Sequence, residues 1–171
     1  DEHLPASTEI AVPRPEGAQP LRQVLRRGGV FSGRLTDEGG KPLPDVMVSA
    51  TFPTAGDDHD SRSATTDAEG RFRLSGLPTG KEIELRVNDD DHVPFRRTLA
   101  TLPADDPQRV LVLSNGLAIA GHVSLADGKP AAGTKVNVHG PKEKWEVYRS
   151  TEVGGDGTFV LRGLPEGHYQ V

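Results

Sequence analysis

Short stretches of alternating apolar and polar residues run along most of the chain. In residues 46–52 and again in residues 82–87, every second side chain is apolar. A period of two places these apolar side chains on one face of a half-buried β-strand. No window shows the 3.6-residue period of an amphipathic helix. The pattern therefore predicts an all-β chain built from short strands.

Seven strands are predicted between residues 29 and 114, each bounded by residues that favour turns. They lie at residues 30–35, 46–52, 62–66, 71–75, 82–87, 93–101 and 109–113. The third and fourth are expected to form a hairpin around an acidic-Gly turn. Strands of this length and spacing are typical of a β-sandwich.

One motif occurs twice and reads acidic residue, Gly, x, Phe, x, Leu, x, Gly, Leu, Pro, x, Gly. Phe and Leu two residues apart share one face of a strand, so we expect them to fill a core. Gly and Pro favour the turns at both ends of that strand. The motif residues are Gly70, Phe72, Leu74, Gly76, Leu77, Pro78 and Gly80 in the first copy, and Gly157, Phe159, Leu161, Gly163, Leu164, Pro165 and Gly167 in the second.

The repeat also extends upstream of the motif, because Gly33, Gly40, Lys41, Pro42 and Val48 recur 88 positions later. A period this long indicates small domains, each with its own core, rather than the turns of a solenoid. We therefore predict one sandwich at residues 29–114 and a second at residues 115–171.

The ends of the chain are interpreted from the same repeat. Residues 1–28 are rich in Pro, and residues 21–25 correspond to the last strand of the first unit. We expect them to be the last strand of a preceding unit. Val171 aligns near Leu85, so the second sandwich is expected to be truncated at its C-terminal end.

Composition excludes several classes of function. The 171 residues carry a formal net charge of −5 with basic and acidic side chains interspersed, which predicts no nucleic-acid partner. The longest apolar runs are too short for a membrane span. There is no Cys, and hence no disulfide framework or thiolate chemistry.

No catalytic, cofactor-binding or metal-binding residues are predicted. None of the six histidines is followed by Glu at the third position, as a carboxypeptidase-type zinc site requires. No serine lies in a Gly-x-Ser-x-Gly nucleophile motif. The acidic stretches 57–60 and 88–92 contain residues that are common in turns, and calcium binding there stays open.

Trp145 and Tyr148 are the candidate platform for a carbohydrate ligand, because aromatic rings stack on sugars. The alternative is that the Trp145 strand uses its ring partly as core and partly as surface.

The two copies resemble carboxypeptidase regulatory-like domains. The resemblance rests on Gly40-Lys41-Pro42-Leu43-Pro44-Asp45-Val46 and on the repeated motif, and it covers residues 29–171. These domains are transthyretin-like (Ig-like) β-sandwiches related to Cna B-type repeats and to some carbohydrate-binding modules. The resemblance implies two tandem seven-stranded sandwiches in a bacterial protein that is secreted, periplasmic or on the cell surface.

The function implied by this resemblance is a non-catalytic spacer or interaction module. Its expected partners are adjacent repeats or domains of the same polypeptide, with a glycan or protein ligand at the surface as a further expectation. A carbohydrate-binding module and an accessory domain for an attached peptidase are the two alternatives. Fold alone does not decide among them.

Overall fold

The computed structural model describes residues 3–4, 24–54, 58–140 and 147–171 of the chain. The described residues form strands, turns and loops, and the all-β class predicted from the sequence is confirmed. In this part of the chain, no helix has the length and apolarity needed to cross a membrane.

Seven strands are divided between two sheets in the first unit. They are β1 (Gly29–Asp37), β2 (Met47–Pro53), β3 (His59–Thr65), β4 (Arg71–Leu77), β5 (Ile83–Val87), β6 (Phe95–Leu99) and β7 (Val110–Leu113). One sheet has the order β4-β1-β7, with β1 and β7 parallel. The other has the order β3-β2-β5-β6 and is antiparallel throughout.

The core of the first unit lies between these two sheets. Every second residue of β2 is buried, and β5 buries Ile83, Leu85 and Val87. Phe72 and Leu74 of the repeated motif face the same core from β4, with 4% and 1% of their surface exposed. The alternation in the sequence thus marks the face of each strand that packs inward.

The predicted hairpin between residues 62–66 and 71–75 is wrong. β3 pairs with β2, whereas β4 pairs with β1 in the opposite sheet. Thr66 explains the separation: its buried hydroxyl accepts a hydrogen bond from the Val46 N–H (2.9 Å) and donates to the Leu43 carbonyl (2.7 Å). These bonds tie the end of β3 to the segment before β2, and the acidic-Gly turn then carries the chain to the other sheet.

Four strands of the second unit are described: β8 (Leu117–His122), β9 (Lys135–Gly140), β10 (Val147–Glu152) and β11 (Thr158–Leu164). β8 pairs with β11, and β9 pairs with β10. The registers repeat those of the first unit, since Gly33 lies opposite Phe72 and Gly121 opposite Phe159. Gln170 forms an isolated bridge with His139.

The second unit has a smaller described core. Val138, Val147, Leu161 and Leu164 are buried in it, and Phe159 is half-buried beside them. No strand in the described part of this unit occupies the place that β7 takes beside β1.

Candidate functional site

The two units meet at a junction that the sequence pattern did not predict. We use this name for the loop at residues 88–93 of the first unit, the linker at residues 114–116, and Arg149 and Gly163 of the second unit. β7 ends at Leu113 and β8 begins at Leu117, so the linker is three residues long.

Arg149 of β10 lies at the centre of the junction, with 9% of its surface exposed. Its Nη2 donates hydrogen bonds to the main-chain carbonyls of Asp89 (2.9 Å) and His92 (3.1 Å) in the first unit. Its Nη1 donates to the carbonyl of Tyr148 (3.3 Å). A buried charge is costly unless it is hydrogen-bonded, so these three carbonyls are what make the position of the guanidinium tolerable.

The loop that receives Arg149 is held by its own side chains. His92 is 9% exposed, and its Nδ1 hydrogen-bonds the Oδ2 of Asp89. The Val93 N–H donates to the carbonyl of Ser114 in the linker (2.8 Å). The loop therefore presents the carbonyls of Asp89 and His92 in a fixed arrangement.

Two glycines allow the backbones to approach at the junction. A Cβ on Gly163 would lie 2.5 Å from the carbonyl oxygen of His92, and the φ angle there is 65°. A Cβ on Gly116 would lie 2.6 Å from Cγ2 of Val93. Gly163 was predicted only as a turn residue; its contact with His92 adds a close approach to the preceding unit.

In the acidic stretch 88–92, a candidate for calcium binding, the Arg149 guanidinium is thus already bound to the carbonyl oxygens of Asp89 and His92. A cation bound to these carbonyls would have to compete with Arg149. Residue 57 of the other acidic stretch lies outside the described residues. Within the described ranges, no three His, Cys, Asp or Glu side chains are grouped so that they could hold a metal ion.

Tyr148 is the member of the predicted carbohydrate platform that the structure describes, and Trp145 lies outside the described residues. Tyr148 is 54% exposed, and its hydroxyl donates to Oδ1 of Asn137 (3.0 Å). Its centroid is 4.9 Å from that of the His139 ring.

A cleft of about 620 Å³ separates Tyr148 from the first unit. The residues lining it are Arg86, Asn88, Pro94, Phe95, Arg96, Val147, Tyr148 and Arg149. Arg86 and Arg96 of the first unit and the Tyr148 ring of the second unit therefore line the same cleft.

Glu84 lies beside this cleft and binds two of its arginines. Its Oε2 is 2.6 Å from Nη2 of Arg86, and its Oε1 is 2.6 Å from Nε of Arg96. The side-chain hydrogen bond from Arg86 holds the pKa of Glu84 below its ordinary value, and the charges of both arginines add to this. Glu84 thus supplies the negative charge that pairs with Arg86 and Arg96 on the side of the cleft formed by the first unit.

At the edge of the junction the contacts are weaker. Nε of Arg162 lies 3.9 Å from Oδ1 of Asp91, and both side chains are exposed. Exposed ion pairs of this kind contribute little to stability, a median of about 0–1 kcal/mol. Of these two arginines, Arg149 therefore makes the stronger contact between the units.

The alternation in the sequence contained a signal for Arg149 that was overlooked. Val147 and Arg149 are two apart on β10, and both are buried. The same repeat position in the first unit is Arg62 of β3, which is partly buried. An arginine on the inward face in both copies marks a position where charge is buried.

The architecture is that of tandem β-sandwich units joined by a short linker. Residues 30–113, which make up the first unit, match the family of carboxypeptidase regulatory-like domains. This match confirms the resemblance of the first unit to carboxypeptidase regulatory-like domains that the sequence indicated. The second unit is related to it by the repeat.

Several solved structures are similar to the chain at low identity and low TM-score. A streptococcal ancillary pilin is 15% identical, over 90% of this chain and 56% of that chain, with a TM-score of 0.39. A DUF3823 family protein from Parabacteroides merdae is 15% identical, over 79% of both chains, with a TM-score of 0.37. Chlorocatechol 1,2-dioxygenase from Pseudomonas putida is 14% identical, over 61% of this chain and 68% of that chain, with a TM-score of 0.36.

These similarities do not define a function, because pilin and enzyme occur side by side among them at TM-scores below 0.5. This chain spans just over half of the length of the pilin. No curated protein is a significant match to the chain.

Proposed function

We propose that this chain is a non-catalytic spacer and interaction module that holds successive domains of a larger extracytoplasmic polypeptide in a fixed orientation. The observation that carries the proposal is the pair of hydrogen bonds from buried Arg149 to the carbonyls of Asp89 and His92. The adjacent repeats are the partners that this arrangement fits. The resemblance of the units to bacterial surface and periplasmic repeats supports the location.

Domains joined by a linker move relative to each other unless their interface restrains them. Here the linker is three residues long, Arg149 crosses the junction, and Gly163 brings the two backbones into contact. Loosening the junction would leave the Arg149 guanidinium buried without its partners or would expose it to water. Such a restraint suits a spacer better than a flexible tether.

The match of the first unit to a regulatory-like, non-catalytic family supports the absence of enzymatic activity. Among the described residues, histidine and carboxylate side chains also have structural roles. Asp89 and His92 are an example, because they shape the loop that receives Arg149.

The proposal is tested by the distance between spin labels in the two units. The chain has no Cys, so Ser63→Cys and Lys129→Cys give two unique label sites, both exposed. We expect a narrow distance distribution, which Arg149→Ala broadens. The matched control is Arg162→Ala at the edge of the same junction, which should leave the width unchanged. A distribution in the parent chain as broad as that of the Arg149→Ala chain would contradict a rigid spacer.

A carbohydrate-binding module is the second candidate, and the exposed ring of Tyr148 beside the cleft is the observation that favours it. A polysaccharide site normally offers several exposed rings, and the whole chain has eight aromatic residues. We therefore expect no binding tighter than millimolar in a glycan pull-down. A signal that is lost on Tyr148→Ala or Trp145→Ala would support the second candidate instead.

A further inference from the structure

The loop at the junction has a second copy at the start of the chain. Residues 90–94 read Asp-Asp-His-Val-Pro, and residues 1–5 read Asp-Glu-His-Leu-Pro. Both have two acidic residues, His, an aliphatic residue and Pro in the same order. The repeat that relates the two units therefore also includes the loop whose carbonyls bind Arg149.

The described part of this second copy makes the same main-chain contact as the first. The Val93 N–H donates to the carbonyl of Ser114 at 2.8 Å, and the Leu4 N–H donates to the carbonyl of Arg26 at 2.9 Å. Ser114 and Arg26 each stand two residues before a linker glycine, Gly116 and Gly28. The loop is thus tied to its linker in the same way at both places.

The linker glycines also meet equivalent parts of the following unit. A Cβ on Gly28 would lie 2.5 Å from Cα of Gly76, and a Cβ on Gly116 would lie 2.8 Å from the carbonyl oxygen of Leu164. The residue after each glycine pairs with a motif leucine: Gly29 with Leu77, and Leu117 with Leu164. The linker before the first unit therefore makes the same contacts with that unit as the linker before the second unit makes with the second.

Arg62 is the counterpart of Arg149 in this arrangement. Arg62 lies opposite Ala50 and Arg149 opposite Val138, in the same register of equivalent strand pairs. Both arginines donate from Nη1 to the carbonyl of the preceding residue, at 2.9 Å for Arg62 and 3.3 Å for Arg149. Among the described residues, the Nε of each is buried without a hydrogen-bond partner.

We propose that Arg62 and Gly76 form a second docking site, which takes the acidic-acidic-His-aliphatic-Pro loop of a preceding unit of the same kind. The proposal rests on the spacer function proposed above. In the docked arrangement that we propose, Arg62 would donate from Nη2 to main-chain carbonyls of that loop. One of them would be the carbonyl of His3, which corresponds to the His92 carbonyl bound by Arg149.

The surroundings of Arg62 favour a neutral main-chain partner over an anionic ligand. Its Nη1 already pairs with Oδ2 of Asp60 at 3.1 Å, which neutralises the guanidinium. An incoming phosphate or carboxylate would meet the Asp60 charge, whereas a carbonyl dipole would not. Val147 takes the place of Asp60 beside Arg149, so the charge of Asp60 distinguishes the two sites.

A chimera tests the proposal directly. A second copy of residues 29–89, called the graft, is placed before Asp1. The last residue of the graft is then followed by the loop at residues 1–5, just as Asp89 of the first unit is followed by the loop at residues 90–94. Spin labels at Ser63→Cys of the graft and Lys41→Cys of the first unit match the Ser63 and Lys129 pair, because Lys41 and Lys129 are equivalent. We expect the two pairs to give the same narrow distance distribution.

Point variants separate the two junctions. Arg62→Ala in the first unit should broaden the graft distribution and leave the Ser63 to Lys129 distribution unchanged, and Arg149→Ala should do the reverse. Arg71→Ala, an exposed arginine paired with Glu69, is the control that should change neither. A graft distribution that Arg62→Ala does not alter overturns the proposal.

Failure of this proposal is distinguishable from failure of the spacer function. A broad Ser63 to Lys129 distribution contradicts the spacer function, whereas a broad graft distribution beside a narrow Ser63 to Lys129 distribution contradicts only the second docking site.

Hydrogen exchange in the unextended chain gives a readout that does not need the graft to fold. Arg62→Ala should speed exchange of the Leu4 amide at least several-fold, as Arg149→Ala should for the Val93 amide. Unchanged exchange at Leu4 overturns the proposal.

Discussion

The guanidinium of Arg149 lies 3.1 Å from the main-chain carbonyl of His92, and this hydrogen bond crosses from one β-sandwich unit to the next. Main-chain carbonyls are a partner that any loop sequence can offer, so the fit depends on the path of the loop. His92 and Asp89 fix that path through their own side-chain hydrogen bond. Under the proposed spacer function, the orientation of the units depends on the conformation of this one short loop.

Gly163→Ala is predicted to weaken the junction. Its Cβ would lie 2.5 Å from the carbonyl oxygen of His92, and the φ angle of 65° is unfavourable for Ala. Strain from such a φ angle alone costs about 1–3 kcal/mol. We expect a lower free energy of unfolding by chemical denaturation and a broader Ser63 to Lys129 distance distribution.

The control for this prediction is Gly155→Ala. Nothing lies within 4 Å of a Cβ at that position, so both measurements should stay close to those of the parent chain. If the two alanine variants behaved alike, the contact between Gly163 and His92 would not restrain the units.

The strands and their inward faces could be predicted because periodicity reports them directly. Alternation in β2 and β5 marked the buried side chains, and the Phe-x-Leu pair of the motif marked those of β4. These are local properties of the chain. A period of two needs no knowledge of which strand lies alongside.

Pairing of the strands could not be obtained in the same way. β3 and β4 follow each other in the sequence, and the turn between them looks like that of a hairpin, yet they belong to different sheets. The hydroxyl of Thr66 bonds the segment before β2, and its two hydrogen bonds span 20 and 23 positions of the sequence. No local pattern reports a contact of that kind.

The junction was missed for a related reason. On an alternating strand, an arginine is normally interpreted as part of the solvent face. Arg149 is buried because a loop of the preceding unit covers it, and that loop is separated from it by 57 positions. The acceptors at the junction are main-chain carbonyls, which residue types do not reveal.

Phe72→Ala and Phe159→Ala are predicted to differ, although the two rings occupy the same repeat position. Phe72 is 4% exposed, whereas Phe159 is half-buried. Truncating a fully buried Phe costs about 3–5 kcal/mol, so that range is expected for Phe72 and a smaller loss for Phe159. Thermal or chemical denaturation of both variants measures the difference. Equal losses would mean that Phe159 is covered in solution as completely as Phe72.

Glu84 predicts a pH dependence of stability. Its pKa in the folded chain is lowered from the ordinary 4.5 by the hydrogen bond from Arg86. A carboxylate with a depressed pKa stabilises the fold fully above its unfolded pKa. That contribution is lost as the pH falls through the lower, folded pKa. Glu84→Gln should therefore reduce the free energy of unfolding at neutral pH and make no difference in strong acid.

The comparison for Glu84 is Glu82→Gln, an exposed carboxylate two residues away on the same segment. Its free energy of unfolding should follow that of the parent chain across the same pH range. A Glu84→Gln difference that persisted unchanged into strong acid would show that the effect comes from packing and not from the charge.

Asp45 provides a test of how closely the two units share their backbone. Its φ angle is 58°, and the equivalent Gly133 has a φ angle of 77°. The Asp45 N–H donates to the carbonyl of Thr66 at 3.1 Å, and the Gly133 N–H donates to the carbonyl of Val153 at 2.9 Å. One turn geometry is thus made with Asp in one unit and with Gly in the other.

Asp45→Gly is predicted to leave the free energy of unfolding nearly unchanged. Relief of the positive φ angle is offset by the greater freedom of Gly in the unfolded chain, worth about 0.4–1 kcal/mol. Asp45→Val should instead cost about 1–3 kcal/mol, because a β-branched residue is strained at this φ angle even though the side chain is exposed. Chemical denaturation of the two variants, with Asp45→Asn as the isosteric control, measures both effects. A Val variant as stable as the Gly variant would mean that the turn relaxes to a negative φ angle, and that the units do not share this geometry in solution.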